Sequence, residues 1–408
     1  MIFRYLFVTS YVVFILNLGG VFNVNAPNVL EKGLFLASAI AFIATRKIDW
    51  VNLGILIAVF AAIFSTLPFI DYGGFSWSIF VNALNQPLIV FALLAAIPTE
   101  RDSRFLIRFV SFMPIMCAGL GMVYQTLGFQ QAFGIEFSTG LARFQGSLIP
   151  AYLSGLGLCG TFAALQCVLR KEKFAIAILI ADFGILLLAG GRAALASTLI
   201  VCAATLLFTN RINLVAKVRM GAVAVIGALA LAAVLWDRIM TRFLGSGDNG
   251  RDLMASYLTS LHNMYPSGIG FGHQYFSVPD DIKLIVGSYA AHNDYLRLQL
   301  ELGTVTAVVF YVLYAAAILR ILLRQQARGN VVMMFALGAF LLISRTDNAL
   351  ASPALFPLVF VAYLSAITRK ETVEIQTQDA YQFTGASSPQ RRPRGIAPSI
   401  FPVRPSSN

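Results

Sequence analysis

Apolar runs recur along almost the whole chain, each near the roughly 20 residues that cross a hydrocarbon core, and short polar breaks separate them. The pattern predicts about twelve spans, near 5–22, 30–45, 51–70, 79–97, 106–127, 147–169, 174–190, 193–209, 219–236, 298–319, 331–344 and 354–368. Backbone groups in lipid must be satisfied within each segment, so every run is expected as a helix. The first run carries Arg4 and has no small-residue cleavage site after it, so it reads as a span and not as a removed signal peptide. Two stretches break the pattern. One is a polar segment over 237–295; the other begins near 370, where Gln, Ser, Pro and Arg take over. The expected fold is an all-α, polytopic membrane bundle of about 12 transmembrane helices with one large outward loop. It divides into a membrane domain over 1–369, which includes the loop 237–295, and a disordered tail over 370–408.

Composition agrees with the patterning. Of 408 residues, 58% are hydrophobic and 12% charged, with a mean hydropathy of +0.75. That leaves too little polar surface for a soluble domain of this length. Lysine and arginine then set the orientation. Arg4, Arg46–Lys47, Arg101–Arg104–Arg108, Arg170–Lys171–Lys173, Arg211–Lys217–Arg219, Arg320–Arg324–Arg328, Arg369–Lys370 and the tail arginines place 21 of the 30 basic residues at one set of span ends. That side is expected to be the cytoplasm, with both termini in it. The net charge of +11 is therefore topological and gives no support to nucleic-acid binding. Nine cations remain outside: Lys32, Arg143, Arg192, Arg238, Arg242, Arg251, Lys283, Arg297 and Arg345. The four cysteines fall within predicted spans, and their spacing matches no metal site.

All three histidines, His262, His273 and His292, lie in the large loop. Within it Gly245–Gly250 reads as a turn. Arg251 to Leu261 has helical spacing, with Leu253, Tyr257, Leu258 and Leu261 on one face and Asp248 or Asn249 as a cap. The run Gly268-Ile-Gly270-Phe-Gly272 offers bare amides to an oxyanion, although Pro266 also fits a plain turn. A helix restarts near Ala290 and carries His292, Asn293, Asp294, Arg297 and Glu301. Elsewhere, Asp71–Trp77 forms an outward turn with aromatics of the interface-belt type, and Gly190-Gly191-Arg192 pins Arg192 between two spans. Asp182 lies alone in mid-span, where structural hydrogen bonding is expected.

Two segments together carry a resemblance. They are Leu188-Ala-Gly-Gly-Arg192-Ala-Ala194, and Gly250-Arg251-Asp252 followed by Tyr265-Pro-Ser-Gly-Ile-Gly-Phe-Gly272, Ala291-His-Asn-Asp-Tyr-Leu296 and Glu301-Leu-Gly303. In order, spacing and membrane side this resembles the superfamily of O-antigen ligases and Wzy-type polysaccharide polymerases. Two positions depart from it: the small-Ser-Arg form at the first arginine is Gly190-Gly191-Arg192 here, and Tyr257 is the nearest aromatic to the usual tryptophan after the second. The resemblance implies a GT-C-like bundle in the bacterial inner membrane with a periplasmic loop. It implies a metal-independent glycosyltransferase without a cofactor, acting on undecaprenyl-pyrophosphate-linked oligosaccharide. Membrane lipids, a chain-length regulator and a flippase are the candidate partners, and no nucleic acid is expected.

Under that resemblance, Arg192 and Arg251 bind the pyrophosphate, on which charge grows as the glycosidic bond breaks; guanidinium grips phosphate oxygens in pairs. The plain reading of Arg192 is a snorkelling interfacial residue, and that of Arg251 a solvated loop charge beside Asp252. His292 is the candidate base for the acceptor hydroxyl, histidine being the side chain that titrates near neutral pH; its plain reading is a capping or interfacial histidine. Asn293, Glu301, Arg345 and Asp347 are candidates to orient base or sugars, and Arg143 to extend a cationic track. His262 and His273 are expected to be loop residues without a catalytic role. The leading function is polymerisation of lipid-linked repeat units. A ligase that transfers the glycan to lipid A–core is the same-family alternative, and a flippase or secondary transporter the alternative of another class.

Overall fold

A computed structural model describes residues 2–24, 26–135, 142–208, 251–287, 289–323 and 331–367, with isolated positions at 215, 217, 218 and 222. The predicted span 219–236, Arg238, Arg242, the turn Gly245–Gly250, the cap candidates Asp248 and Asn249, and the tail 370–408 lie outside the described residues, as does the side chain of Arg251. By contacts the chain divides into Met1–Thr368 and Arg369–Asn408.

The first unit is mostly helical. In chain order it holds α1 (Ile2–Leu16), α2 (Leu18–Phe22), α3 (Ala26–Thr45), α4 (Trp50–Phe64), α5 (Trp77–Ala83), α6 (Asn85–Ala95), α7 (Glu100–Thr126), α8 (Pro150–Leu169), α9 (Ala175–Ala189) and α10 (Arg192–Phe208). After the undescribed stretch come α11 (Arg251–Met264), α12 (Gln274–Ser277), α13 (Asp280–Val286), α14 (Asp294–Leu302), α15 (Thr304–Leu323), α16 (Val331–Ser344) and α17 (Phe356–Ile367). Two short antiparallel ribbons complete it, β1 (Lys47–Ile48) with β2 (Ala96–Ile97) and β3 (Phe133–Ile135) with β4 (Ala142–Phe144). Among the described residues, five helical stretches are long and apolar enough to cross a membrane: Ile2–Phe22, Trp50–Phe69, Trp77–Ala95, Glu100–Thr126 and Pro150–Leu169. Shorter apolar helices cover Ala175–Ala189, Arg192–Thr205 and Thr304–Arg320.

Charge marks one end of the bundle. Thr99 and Asp102 form a capping box at the start of α7: the Thr99 hydroxyl accepts from the Asp102 amide while the Asp102 carboxylate takes the Thr99 amide. The same carboxylate, fully buried, accepts from Arg4 and Arg46, each Nε at 2.6 Å. It thereby ties α1, the end of α3 and α7 together. Arg320 reaches the Asp49 cap of α4 at 3.0 Å, Arg108 reaches Glu172 at 2.7 Å, and Arg170 donates to Ser103, whose hydroxyl donates to Leu364 O. The basic clusters Arg4, Arg46, Arg108, Arg170 and Arg320 thus meet at one end of the bundle.

At the other end the loop packs a small apolar core of its own. Met254, Leu258 and Leu261 of α11 meet Ile269, Val278, Ala291 and Leu300, with Tyr72, Tyr257 and Tyr265 against them. Leu253, expected on the buried face, is 41% exposed and Met254 replaces it. Tyr72 and Phe75, read as belt aromatics, instead face the loop: Tyr72 packs edge-on to Tyr265, and Phe75 stacks on His273 with centroids 5.0 Å apart. The span predicted from 298 begins later. Gly303, at φ +75°, separates α14 from α15, and a Cβ there would strike Pro266 O.

Candidate functional site

α14 starts at Asn293, whose side-chain oxygen accepts from the amides of Tyr295 and Leu296. The Asn293 side-chain oxygen is therefore engaged as a helix cap. His292, just before the cap, has φ +49°. A left-handed backbone at a residue with a Cβ costs on the order of 1 kcal/mol and persists only where its surroundings impose it. The imidazole Nδ1 lies 3.4 Å from Asp347 Oδ1, a long contact across the turn that follows α16. Arg345 is exposed two residues earlier in that turn.

One turn into α14 sits a buried network that the sequence reading did not assemble. Asp294 accepts from Arg297 Nε at 3.0 Å and from the Leu350 amide at 2.7 Å, which fixes the 345–355 turn on α14. Burial pushes the Asp294 carboxyl up to about 6 against the pull of Arg297. Arg297 also donates to Gln86 Oε1 at 3.0 Å and lies 3.9 Å from Glu301. The Asp294, Arg297 and Glu301 spacing of three and four residues was the available signal, since it places all three on one helix face. Glu301, a candidate for orienting substrate, has one oxygen occupied by the Gln274 amide.

The amides of Gly268, Ile269 and Gly270 are already taken by carbonyls. Ile269 N donates to Leu300 O and Gly270 N to Glu301 O, both at 3.0 Å. The strap therefore satisfies carbonyls at the end of α14, and these amides are not available to an oxyanion. Gly268 and Gly272 are needed for closeness as well as for positive φ: a Cβ would strike Glu301 O at the first and Ala83 Cβ at the second. His273, next in line, is buried. Its Nε2 accepts from the Ser76 amide at 2.7 Å, so Nδ1 carries the proton and faces the Gly270 and Phe271 carbonyls. Burial pulls the His273 imidazole below its ordinary value. His262 lies at 3.0 Å from the Thr304 hydroxyl, and burial lowers its value too.

Arg192 opens α10 and is exposed. Gly190 closes α9 in the left-handed region, and Gly191 is pressed on α8, where an added Cβ would overlap Ser154 Oγ. This is why the residue before Arg192 cannot carry a side chain here. Arg143 on β4 donates from Nε to Ala189 O at 2.8 Å, so it sits at the carbonyl end of α9, three residues from Arg192. A chain of contacts leads from these arginines to the histidine: Ser154 and Gly155 meet Gly191 and Ala354–Leu355, and the same turn carries Leu350 onto Asp294. Arg143, Arg192, His292 and Asp347 consequently share the end of the bundle opposite the ion-pair cluster. Arg251 begins α11 on the loop core, and its side chain lies outside the described residues.

Between α1, α3, α5–α6, α8 and the loop lies a cavity of about 830 Å³. Its apolar floor includes Phe14, Phe35, Ile89 and Phe356. Its walls are rich in amides (Asn17, Asn82, Asn85, Gln86, Gln274 and Asn348), with Tyr152 and Tyr275. Asn348, the residue after Asp347, lines this space, whereas His292 and Asp347 themselves are not among its lining residues. The amides were missed because they are scattered over predicted spans; Asn82, Asn85 and Gln86 inside one apolar run were the legible hint. Elsewhere, Asp182 is buried over Gly160 and Pro114, and neither carboxyl oxygen has a hydrogen-bond partner among the described residues, contrary to the bonding expected of it. Among the described residues no group of three His, Cys, Asp or Glu is placed to hold a metal ion. No family model and no curated protein shows a match to the chain.

Proposed function

We propose that this protein is an inner-membrane glycosyltransferase that polymerises undecaprenyl-pyrophosphate-linked repeat units at the periplasmic face. Both termini and the ion-pair end would then face the cytoplasm, with about twelve crossings. The observation that carries the reading is the His292–Asp347 pair beside an amide-lined cavity, at the end where Arg143 and Arg192 also lie. In the reaction an acceptor hydroxyl attacks the anomeric carbon of the donor sugar. The bond from that carbon to the pyrophosphate oxygen breaks, and its electron pair leaves with the lipid pyrophosphate. His292 takes the hydroxyl proton, held in orientation by Asp347. Arg192, with Arg251 by resemblance, balances charge that grows on the leaving group.

Purified protein in lipid nanodiscs, supplied with lipid-pyrophosphate repeat units, is expected to produce a ladder of lengthened glycans. His292→Ala is expected to slow it by about 10²–10⁴-fold, the contribution of a positioned base. A ladder unchanged by that substitution removes His292 from the reaction. A single product formed only when lipid A–core is added makes the protein a ligase. Exchange of labelled substrate across the membrane without new glycosidic bonds makes it a transporter.

A further inference from the structure

Gln274 is a staple at the mouth of the cavity. Its side chain donates to Tyr289 O at 3.0 Å and accepts from the Ala291 amide at 3.2 Å, while its own amide binds Glu301. It thereby fixes the strand of loop that leads to His292 and lays Tyr289 on Tyr275. The two rings stack at 4.9 Å with 30° between their planes. Lys283 Nζ, held by Asp280 at 2.8 Å, sits 4.4 Å from the centre of the Tyr289 ring. A cation there is attracted by the ring's electron-rich face and fixes the outer tyrosine. Yet the assembly remains open: Tyr275 is 48% exposed and Tyr289 42%, and Tyr275 itself lines the cavity.

A stacked pair of half-exposed aromatic rings beside a polar cavity is the kind of surface that a ligand covers. The cavity narrows what that ligand is. Its amides both donate and accept, which suits hydroxyl groups that do the same. Its charged side chains are two carboxylates, Glu31 and Glu301, and two cations, Lys32 and Arg297, equal in number. An anion would find Arg297 already beside Asp294 and Glu301. A pyranose ring, by contrast, has a face of C–H bonds for an aromatic ring and an edge of hydroxyls for amides.

We infer that this cavity binds an uncharged stretch of glycan, with Tyr275, backed by Tyr289 and Lys283, as the platform on which one sugar ring stacks. This rests on the glycosyltransferase reading and deepens it: it names the substrate as a neutral glycan and adds Tyr275 as a residue that binds it. The subsite holds sugar and does not itself move a proton.

The test uses the full chain in nanodiscs and, as probe, the oligosaccharides released by mild acid from the lipid-linked pool of the protein's own host. Saturation-transfer NMR is expected to show the probe's ring-face C–H protons receiving magnetisation from the protein. Tyr275→Leu is expected to weaken binding tenfold or more, Tyr275→Phe to leave it within about twofold, and Tyr289→Leu to fall between; tenfold corresponds to about 1.4 kcal/mol. The thermal unfolding midpoint is followed for each variant, and Tyr275→Phe serves as the ring-retaining control if Tyr275→Leu fails to fold. Wild-type affinity in Tyr275→Leu, weakened affinity in Tyr275→Phe, or preferential capture of uronate-bearing fragments over neutral ones overturns the inference. Probe binding that depends on Tyr275 without any transfer of lipid-linked units leaves the platform standing and removes the polymerase. A glycan ladder undiminished in Tyr275→Leu does the reverse.

Discussion

His292 and His273 show how backbone placement decides what an imidazole does. His273 is enclosed by the Phe75 ring and three backbone groups, with one nitrogen accepting and the other donating, so it is a strut between the loop and the Asp71–Trp77 turn. His292 keeps a left-handed backbone and a carboxylate neighbour next to the cavity. Asp347→Asn is expected to give a glycan ladder slower than wild type but faster than His292→Ala, since an amide still orients the ring and does not stabilise its cation; a rate equal to wild type removes Asp347 from that role. The pH response of His273 has a defined sign. Its folded-state value lies below the ordinary imidazole value of 6.5, so on acidification the unfolded chain takes up a proton that the folded chain refuses. Its contribution is complete above that value and is lost as pH falls through the window below it. The unfolding midpoint of wild type is expected to drop more between pH 7.5 and 5.5 than that of His273→Gln, and equal slopes contradict the assignment.

At the scale of elements, the capping box of α7 is also the clasp of three helices. Asp102→Ala leaves Arg4 and Arg46 facing each other at a buried site. The expected loss is about 2–3 kcal/mol, below the ~3–5 of a fully buried pair because both guanidiniums keep some water; it is read as a lowered unfolding midpoint. Helix positions were legible in the sequence because lipid imposes one solution on every apolar run, and α8 to α10 fall almost where hydropathy puts them. The start of α15 was not legible. Leu298, Leu300 and Leu302 continue the apolar pattern across Gly303, and only the close approach of Pro266, from more than thirty residues earlier, makes that glycine a break. The glycine run misled for the same reason: nothing local indicates that its amides are consumed by Leu300 and Glu301. His292 and Asp347 were legible individually, whereas the cavity amides become a set only when five helices and the loop converge.

On the scale of the whole molecule, the two ends differ in how they treat charge. One gathers arginines from five segments onto three carboxylates; the other spreads amides and tyrosines around a space with balanced charges. This polarity predicts a labelling pattern in intact cells. A membrane-impermeant maleimide is expected to modify Asp281→Cys on α13 and to reach Lys171→Cys only after lysis. The opposite order inverts the proposed orientation.

The private apolar core of the loop has a practical corollary. A surface assembled from α11, α13 and the α12 turn keeps its shape through its own packing, so it offers a folded epitope of the kind an antibody fragment recognises. Such a fragment would add rigid mass to a 44.4 kDa protein. Seated over Tyr275 and Tyr289, it would also cover the mouth of the cavity.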